Sequence, residues 1–235
     1  MQTVLRRRPP LRSSNWHAHG NLYLVHNGGA TRADAEGTDG VVEVVAVDGD
    51  EITVGILNPD GSHAEMSGNG TRIAAAWLMS RTGSASARVR VGDRIVEVRR
   101  VADGLYESEL RPVEVFPVEV VAGVELIPVS VGNPHAVVLD DPERIGELGP
   151  LLETHARFPE RTNVQVARVD GPGEVTARVW ERGVGETSAS GTSAVAVAAA
   201  THESGDVLVH FPGGDLRVRL DGGRAWLTGP AEPLD

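Results

Sequence analysis

The sequence predicts an α+β fold of two pseudo-symmetric halves, each a curled, mainly antiparallel sheet wrapped around a central helix. First, Ser67-Gly68 and Ser190-Gly191 each open an alanine-rich run, as in a helix whose first turn lies against a ligand. Second, a polar residue ends a β-type run nine residues before each serine, Asn58 in one half and Glu181 in the other. The same strand, loop and helix are therefore used twice, which suggests chemistry on both faces of one small molecule.

The first half is predicted to span residues 1–112, with strands on either side of one helix. Residues 40–47 and 51–57 are rich in β-branched side chains and are separated by Asp48-Gly49-Asp50, a hairpin signal. A helix over residues 68–81 carries no charge between Arg72 and its last turn, so we expect burial nearly all round. Three further β-type runs follow, at residues 87–91, 94–101 and 105–111.

The second half is predicted to span residues 113–235, with its last strand able to return to the first half. Asp141-Pro142-Glu143 combines a helix N-cap, a proline at the first helical position and an acid in the first turn, which predicts a helix to about residue 155. A second helix opens at Gly191. The predicted strands lie at residues 118–131, 135–139, 162–169, 174–180, 207–211, 216–220 and 225–227.

Composition indicates a globular protein rather than a disordered or fibrous one. Hydrophobic residues make up 40% of the 235 residues and aromatic residues only 4%, so the core must consist of Val, Leu, Ile and Ala. The net charge of −11 argues against nucleic acid or an anionic membrane as a partner. The basic cluster Arg6-Arg7-Arg8 is interpreted as a solvated N-terminal extension, and a cytoplasmic location is expected.

The chain has no cysteine, which excludes disulfides, thiolate zinc sites and a cysteine nucleophile. The eight histidines do not form a pair at helical metal-binding spacing. We therefore expect no metal site, and no residue pattern indicates an organic cofactor.

Six ordered blocks of sequence together resemble the diaminopimelate epimerase family, from about residue 19 to the C-terminus. They are Gly20-Asn21, Asn58-Pro59-Asp60-Gly61-Ser62, Ser67-Gly68-Asn69-Gly70, Gly132-Asn133-Pro134-His135, Arg161-Thr162-Asn163 and the segment from Glu181-Arg182-Gly183 to Ser190-Gly191-Thr192. The resemblance implies a cofactor-independent amino-acid epimerase or racemase with its active site in the cleft between the halves. LL-2,6-diaminopimelate, converted to the meso form for lysine and cell-wall synthesis, is the substrate of first choice, and dimers occur in the family.

The resemblance also implies roles for individual residues. Ser67 and Ser190 stand where the family has two catalytic cysteines, one on each side of the substrate α-carbon. The backbone N–H groups of Gly68-Asn69 and Gly191-Thr192 would hold the α-carboxylate, and His135 would lie close to the site. The distal end of the substrate would contact the asparagines together with a Glu-Arg pair; the matched substrate-contacting positions are Asn21, Asn58, Asn133, Asn163, Glu181 and Arg182.

These residues fit a reaction that removes the α-proton of an amino acid, because an α-proton beside a carboxylate is barely acidic. Without pyridoxal phosphate, the protein must stabilise the developing charge with fixed dipoles in a dry cleft. Two helix N-termini supply such dipoles, since each has unpaired N–H groups and about half a positive charge. Inversion also requires a proton acceptor and a proton donor on opposite faces, which two symmetry-related residues provide.

The two serines depart from the family pattern. A helix N-terminus lowers a thiol pKa to a useful range, whereas a serine hydroxyl starts several units higher and needs a neighbouring base. Three interpretations stay open: an engineered serine form of a cysteine enzyme; a natural relative with different chemistry, such as an isomerase or dehydratase, whose base is His135, Glu65 or Glu186; and an amino-acid-binding protein without catalysis. The second includes a racemase or isomerase of another amino acid. A smaller departure is Leu22, where the family usually has aspartate.

Overall fold

The computed structural model describes residues 13–63, 67–110 and 113–234. The basic cluster at residues 6–8 and the candidate base Glu65 lie outside these ranges. The helices are α1 (Gly68–Thr82), α2 (Ile145–Glu153) and α3 (Gly191–Thr201). The strands of the first half and the crossing segment are β1 (Ser14–Ala18), β2 (Asn21–His26), β3 (Gly40–Asp48), β4 (Glu51–Leu57), β5 (Ser86–Val91), β6 (Arg94–Ala102), β7 (Leu105–Leu110), β8 (Glu114–Val115) and β9 (Glu119–Val121).

The second half contains the remaining strands, and each half has one short 3₁₀ turn among its described residues. Its strands are β10 (Val124–Ser130), β11 (Pro134–Leu139), β12 (Asn163–Gly171), β13 (Glu174–Glu181), β14 (Gly185–Thr187), β15 (Gly205–Phe211), β16 (Gly214–Asp221), β17 (Arg224–Pro230) and β18 (Glu232–Pro233). The helix predicted from Asp141 begins instead as a 3₁₀ turn, Pro142–Arg144, before α2. A second 3₁₀ turn, Arg32–Ala35, precedes β3.

The pairing order of the strands is the same in both halves. In the first half, β1 to β7 pair in chain order as antiparallel, parallel, antiparallel, parallel, antiparallel and antiparallel neighbours. In the second half, β10, β11, β12, β13, β15, β16 and β17 repeat that series of six pairings. The predicted fold class is therefore confirmed, and the parallel pairings are an addition that the sequence pattern did not indicate.

The two halves share hydrogen bonds along their last strands. β7 pairs antiparallel with β17 from Leu105↔Pro230 to Leu110↔Ala225. After β17 the chain continues into β18, which pairs with β1 of the first half. The division at residues 112 and 113 stays a prediction, and β17 and β18 mark the segment where the chain returns to the first half.

Each half buries its central helix. In α1 every residue from Gly68 to Met79 is buried, as expected from the uncharged run. Helix α3 is buried from Gly191 to Ala198, and its small alanine side chains let the surrounding strands approach closely. A third apolar cluster lies beneath α2, where Leu148 and Leu152 pack with the buried valines of β11 and β12. The helices thus occupy the centres of the sheets, so that their N-termini are held rigidly.

Candidate active site

The N-termini of α1 and α3 lie against each other. Ser67 and Ser190 are the N-cap residues of the two helices and have nearly the same extended backbone, with φ of −139° and −143°. A Cβ atom added to Gly68 would lie 3.2 Å from Gly191 Cα. Because only a residue without a side chain permits this approach, the two glycines allow both helices to begin at one point.

One cavity of about 290 Å³ opens at this junction. It is lined by both serines and by every residue for which the sequence predicts a substrate contact: Asn21, Asn58, Gly68, Asn69, Asn133, Asn163, Glu181, Arg182, Gly191 and Thr192. His135 does not line it. The structure therefore brings together residues from both halves that are as much as 171 positions apart, from Asn21 to Thr192.

Ser67 is held by two groups. Its Oγ accepts a hydrogen bond from the Gly70 backbone N–H (3.0 Å) and lies 3.1 Å from the Tyr23 hydroxyl. Burial raises the pKa of Tyr23 to about 12, so its phenol stays protonated at neutral pH. Tyr23 also lines the cavity. Sequence reasoning missed this residue, since a tyrosine inside a strand gives no signal of its contacts.

Ser190 has a different neighbour, the Glu181 carboxyl group. Burial raises the pKa of Glu181, and hydrogen bonds from Thr187 and Ser190 partly oppose this effect. The Thr187 hydroxyl donates to Glu181 Oε1 over 2.7 Å. One serine therefore faces a carboxyl group and the other a phenol, so the two sides of the cavity are chemically unequal.

Three of the asparagines have partners that fix their orientation. Asn21 donates from Nδ2 to the Ala189 carbonyl (3.1 Å), and so ties β2 to the segment before Ser190. Asn163 donates to the Pro134 carbonyl (2.9 Å) and accepts from the Arg182 backbone N–H (3.0 Å). Asn58 donates to the Ser62 hydroxyl in the turn after β4. Their side chains are thus preorganised at the wall of the cavity.

His135 orients the fourth asparagine. Its Nε2 lies 2.9 Å from Asn133 Oδ1, and its Nδ1 lies 3.0 Å from the Gln165 amide nitrogen. Burial lowers the pKa of His135 to about 3, so the ring is neutral and donates to Asn133 through Nε2. Because both ring nitrogens are engaged by other side chains and His135 does not line the cavity, the structure does not place His135 as a base at the substrate.

The other described candidate base does not line the cavity either. Glu186 is exposed and pairs with Arg178. Asp39, which sequence reasoning did not identify, does line the cavity, and its Oδ2 accepts a hydrogen bond from the Leu22 backbone N–H (2.7 Å). A carboxylate therefore lies beside Leu22, the position where the expected aspartate is missing.

Residues 13–63, 67–110 and 113–234 contain no group of three or more His, Cys, Asp or Glu side chains that could hold a metal ion. None of the described helices combines the length and the apolar character required to cross a membrane.

Comparisons with solved structures support the architecture. The chain superposes on a phenazine biosynthesis protein of the PhzF family from Bacillus anthracis with a TM-score of 0.72 at 12% identity, covering 96% of this chain and 97% of the other. A hydroxyproline epimerase from Agrobacterium vitis gives a TM-score of 0.69 at 15% identity, covering 94% and 88%. At these identities the likeness shows the fold alone.

Sequence comparisons are more specific. The family model of diaminopimelate epimerase matches residues 127–232. Diaminopimelate epimerases from Desulforudis audaxviator and Pelotomaculum thermopropionicum are 38% and 36% identical, each over 84% of this chain and 82% of their own length. The enzyme from Xylella fastidiosa is 41% identical over 75% of this chain and 72% of its own. The chain therefore belongs to the diaminopimelate epimerase family, whose members are isomerases that act on amino acids without pyridoxal phosphate.

Proposed function

We propose that this protein binds 2,6-diaminopimelate in the cavity between its halves and has the geometry for exchange of the α-proton between the LL and meso forms. The observation that carries the proposal is the convergence of Ser67 and Ser190, each at a helix N-terminus, on one cavity that also contains the asparagines and Arg182. The diaminopimelate epimerases among its relatives suggest the substrate.

In this proposal the free N–H groups at the starts of α1 and α3 bind the α-carboxylate and stabilise the negative charge that develops when the α-proton leaves. Arg182, supported by Asn163, binds the distal carboxylate. Ser67 and Ser190 then face the α-carbon from opposite sides. Because a serine hydroxyl is a much weaker acid than a thiol, the serine form should bind substrate but exchange its proton very slowly.

The contact between Glu181 and Ser190 favours a second candidate, an epimerase or racemase with a carboxylate base. Here Glu181 takes the Ser190 hydroxyl proton while Ser190 Oγ removes the α-proton. On the opposite face the Ser67 hydroxyl gives its proton to the carbanion and is reprotonated by Tyr23. This leaves Glu181 protonated and Tyr23 as the phenolate, and each returns to its starting form by exchanging one proton with water, so that the cycle balances without a cofactor.

Hydrogen–deuterium exchange at the α-carbon tests both candidates. Wild type, the double variant Ser67→Cys/Ser190→Cys and Glu181→Gln are incubated with LL-diaminopimelate in deuterated water, and label is followed by mass spectrometry. Label that appears only with the double cysteine variant supports the first candidate. Label with wild type that disappears in Glu181→Gln supports the second, with other amino acids tried in parallel.

Calorimetry with the same ligand separates a third outcome. Tight binding to wild type with no exchange in any variant would indicate an amino-acid-binding protein without catalysis. No binding and no exchange with any diamino acid would contradict the proposal. Because dimers occur in the family, we also propose a homodimer. Light scattering on the same preparations measures its mass.

A further inference from the structure

Arg72 is a fully buried cation that has no carboxylate partner among the residues the structure describes. It lies on α1 one turn after Ser67, and its side chain has 0% exposure. Its Nη1 atom has no hydrogen-bond partner, and no ion pair to Arg72 occurs within residues 13–63, 67–110 and 113–234. Unpaired buried charges are costly and therefore rare, so this guanidinium requires an explanation.

The free end of the guanidinium points to the junction of the two helices. Nη1 lies 3.6 Å from a Cβ position built on Gly68 and 3.3 Å from one built on Gly191. The rest of the group is fixed, because Nη2 donates to Asn69 Oδ1 (2.5 Å) and Nε donates to the Pro230 carbonyl (3.4 Å). The unpartnered nitrogen is thus held directly behind the glycines that form the cavity wall.

The titratable side chains beside Arg72, His19 and Tyr23, carry no negative charge at neutral pH. His19 is close by and unpartnered at Nε2, and burial together with Arg72 lowers its pKa to about 4, so the ring is neutral. Tyr23 is also neutral at pH 7, since its pKa is raised to about 12. The helix N-termini contribute further positive potential at the same point. The described residues therefore leave the positive charge behind Gly68 and Gly191 uncompensated.

We propose that Arg72 is a positioning residue whose charge draws the α-carboxylate of the ligand onto the Gly68–Gly191 wall. It acts through the backbone layer and does not touch the ligand, because it does not line the cavity. The anion would supply the counter-charge that the described side chains around Arg72 do not provide. The identity of the anion as an amino-acid carboxylate rests on the proposed function, whereas the charge and its position do not.

The test is Arg72→Met, which removes the charge and keeps an unbranched apolar stem. Calorimetry with LL-diaminopimelate should give an affinity about 10- to 100-fold weaker than that of wild type. Thermal unfolding without ligand should show that the variant is at least as stable as wild type, because an unpaired buried charge has been removed. The matched control is Arg81→Met on the exposed last turn of the same helix, which should bind as wild type does.

Arg72→Lys separates charge from shape. It retains the cation but not the fork that contacts Asn69 and Pro230, so its affinity should stay within about threefold of wild type. An equal loss of affinity in the lysine and methionine variants would overturn the inference, as would an unchanged affinity in Arg72→Met. If Arg72→Met fails to fold, Arg72→Gln and Arg72→Lys provide the same comparison.

The inference and the proposed function can fail separately. Wild type that binds no diamino acid contradicts the proposed function. In that case the thermal shift caused by sodium acetate, relative to sodium chloride at equal ionic strength, tests the inference. A shift in wild type that is absent in Arg72→Met supports it, and no difference between the two proteins overturns it.

Discussion

The hydroxyl groups of Tyr23 and Ser67 lie 3.1 Å apart, so a strand of the first half holds the N-cap residue of α1. Ser67 Oγ also accepts from the Gly70 N–H, which satisfies one of the free donors of the helix. The serine rotamer is therefore determined by both contacts. Ser190 lacks such a cap bond, and its side chain faces Glu181 instead.

Tyr23→Phe should lower the free energy of unfolding by about 1 kcal/mol, because it removes this partly buried hydrogen bond and keeps the ring. Urea denaturation at pH 7 measures the change. Tyr106→Phe is the control, since Tyr106 is equally buried and its hydroxyl has no hydrogen-bond partner in the described parts of the chain. Equal losses in the two variants would contradict the assigned role of the Tyr23 contact.

Gly68→Ala should separate the starts of the two helices. The new Cβ would lie 3.2 Å from the Gly191 backbone, which is tighter than normal contact, so one helix must shift. We expect a loss of about 1–3 kcal/mol in unfolding free energy and weaker binding of LL-diaminopimelate.

The control for this change is Gly146→Ala in α2, where a new Cβ would meet nothing within 4 Å. Helix propensity predicts that it leaves stability unchanged or raises it by up to about 1 kcal/mol. Denaturation and calorimetry on both variants make the comparison. A Gly68→Ala protein with wild-type stability and affinity would show that the contact between the helix starts is unimportant.

Arg182→Met should reduce the preference of the protein for LL-diaminopimelate over L-lysine by at least about tenfold, because lysine lacks the distal carboxylate. Competition calorimetry with the two amino acids measures this ratio. Arg178→Met serves as the control: Arg178 lies on β13, four residues before Arg182, and pairs with Glu143 and Glu186 outside the cavity. A preference that falls equally in both variants would exclude a specific role for Arg182.

The sequence predicted the repeated elements well because each has a strong local signal. Strand β4 has the predicted bounds, and α1 differs from its prediction by one residue. The blocks around Asn58, Asn133 and Asn163 meet at one cavity because the strand order of the first half recurs in the second. The Ser-Gly pattern that occurs once in each half thus identified, from the sequence, the two helix N-termini that lie against each other in the structure.

The contacts that the sequence did not predict depend on tertiary structure. Tyr23 and Arg72 look like ordinary strand and helix residues, and only the folded chain shows that one reaches Ser67 and the other lies behind Gly191. A strand in a parallel pair, such as β2 with β3, has the same sequence period as a strand in an antiparallel pair. The sequence therefore did not indicate which pairs are parallel. Asp39 reaches the site through the Leu22 backbone, a contact that no side-chain pattern encodes.

His135 should make the protein sensitive to acid. Its pKa is about 3 in the folded protein and about 6.5 in an unfolded chain, so between these values the unfolded state binds the additional proton. Its contribution to stability is therefore complete above about pH 6.5 and is lost as the pH falls towards 3, by up to about 1.4 kcal/mol per pH unit. His135→Gln cannot titrate and can still donate to Asn133, so it should flatten the decline measured by urea denaturation at pH 7, 5.5 and 4.5. His19, with a pKa lowered to about 4, adds a similar slope over the narrower range from about pH 6.5 to 4, which His19→Asn should remove because asparagine tolerates its φ of +52°. An unchanged slope in both variants would mean that other groups control acid unfolding.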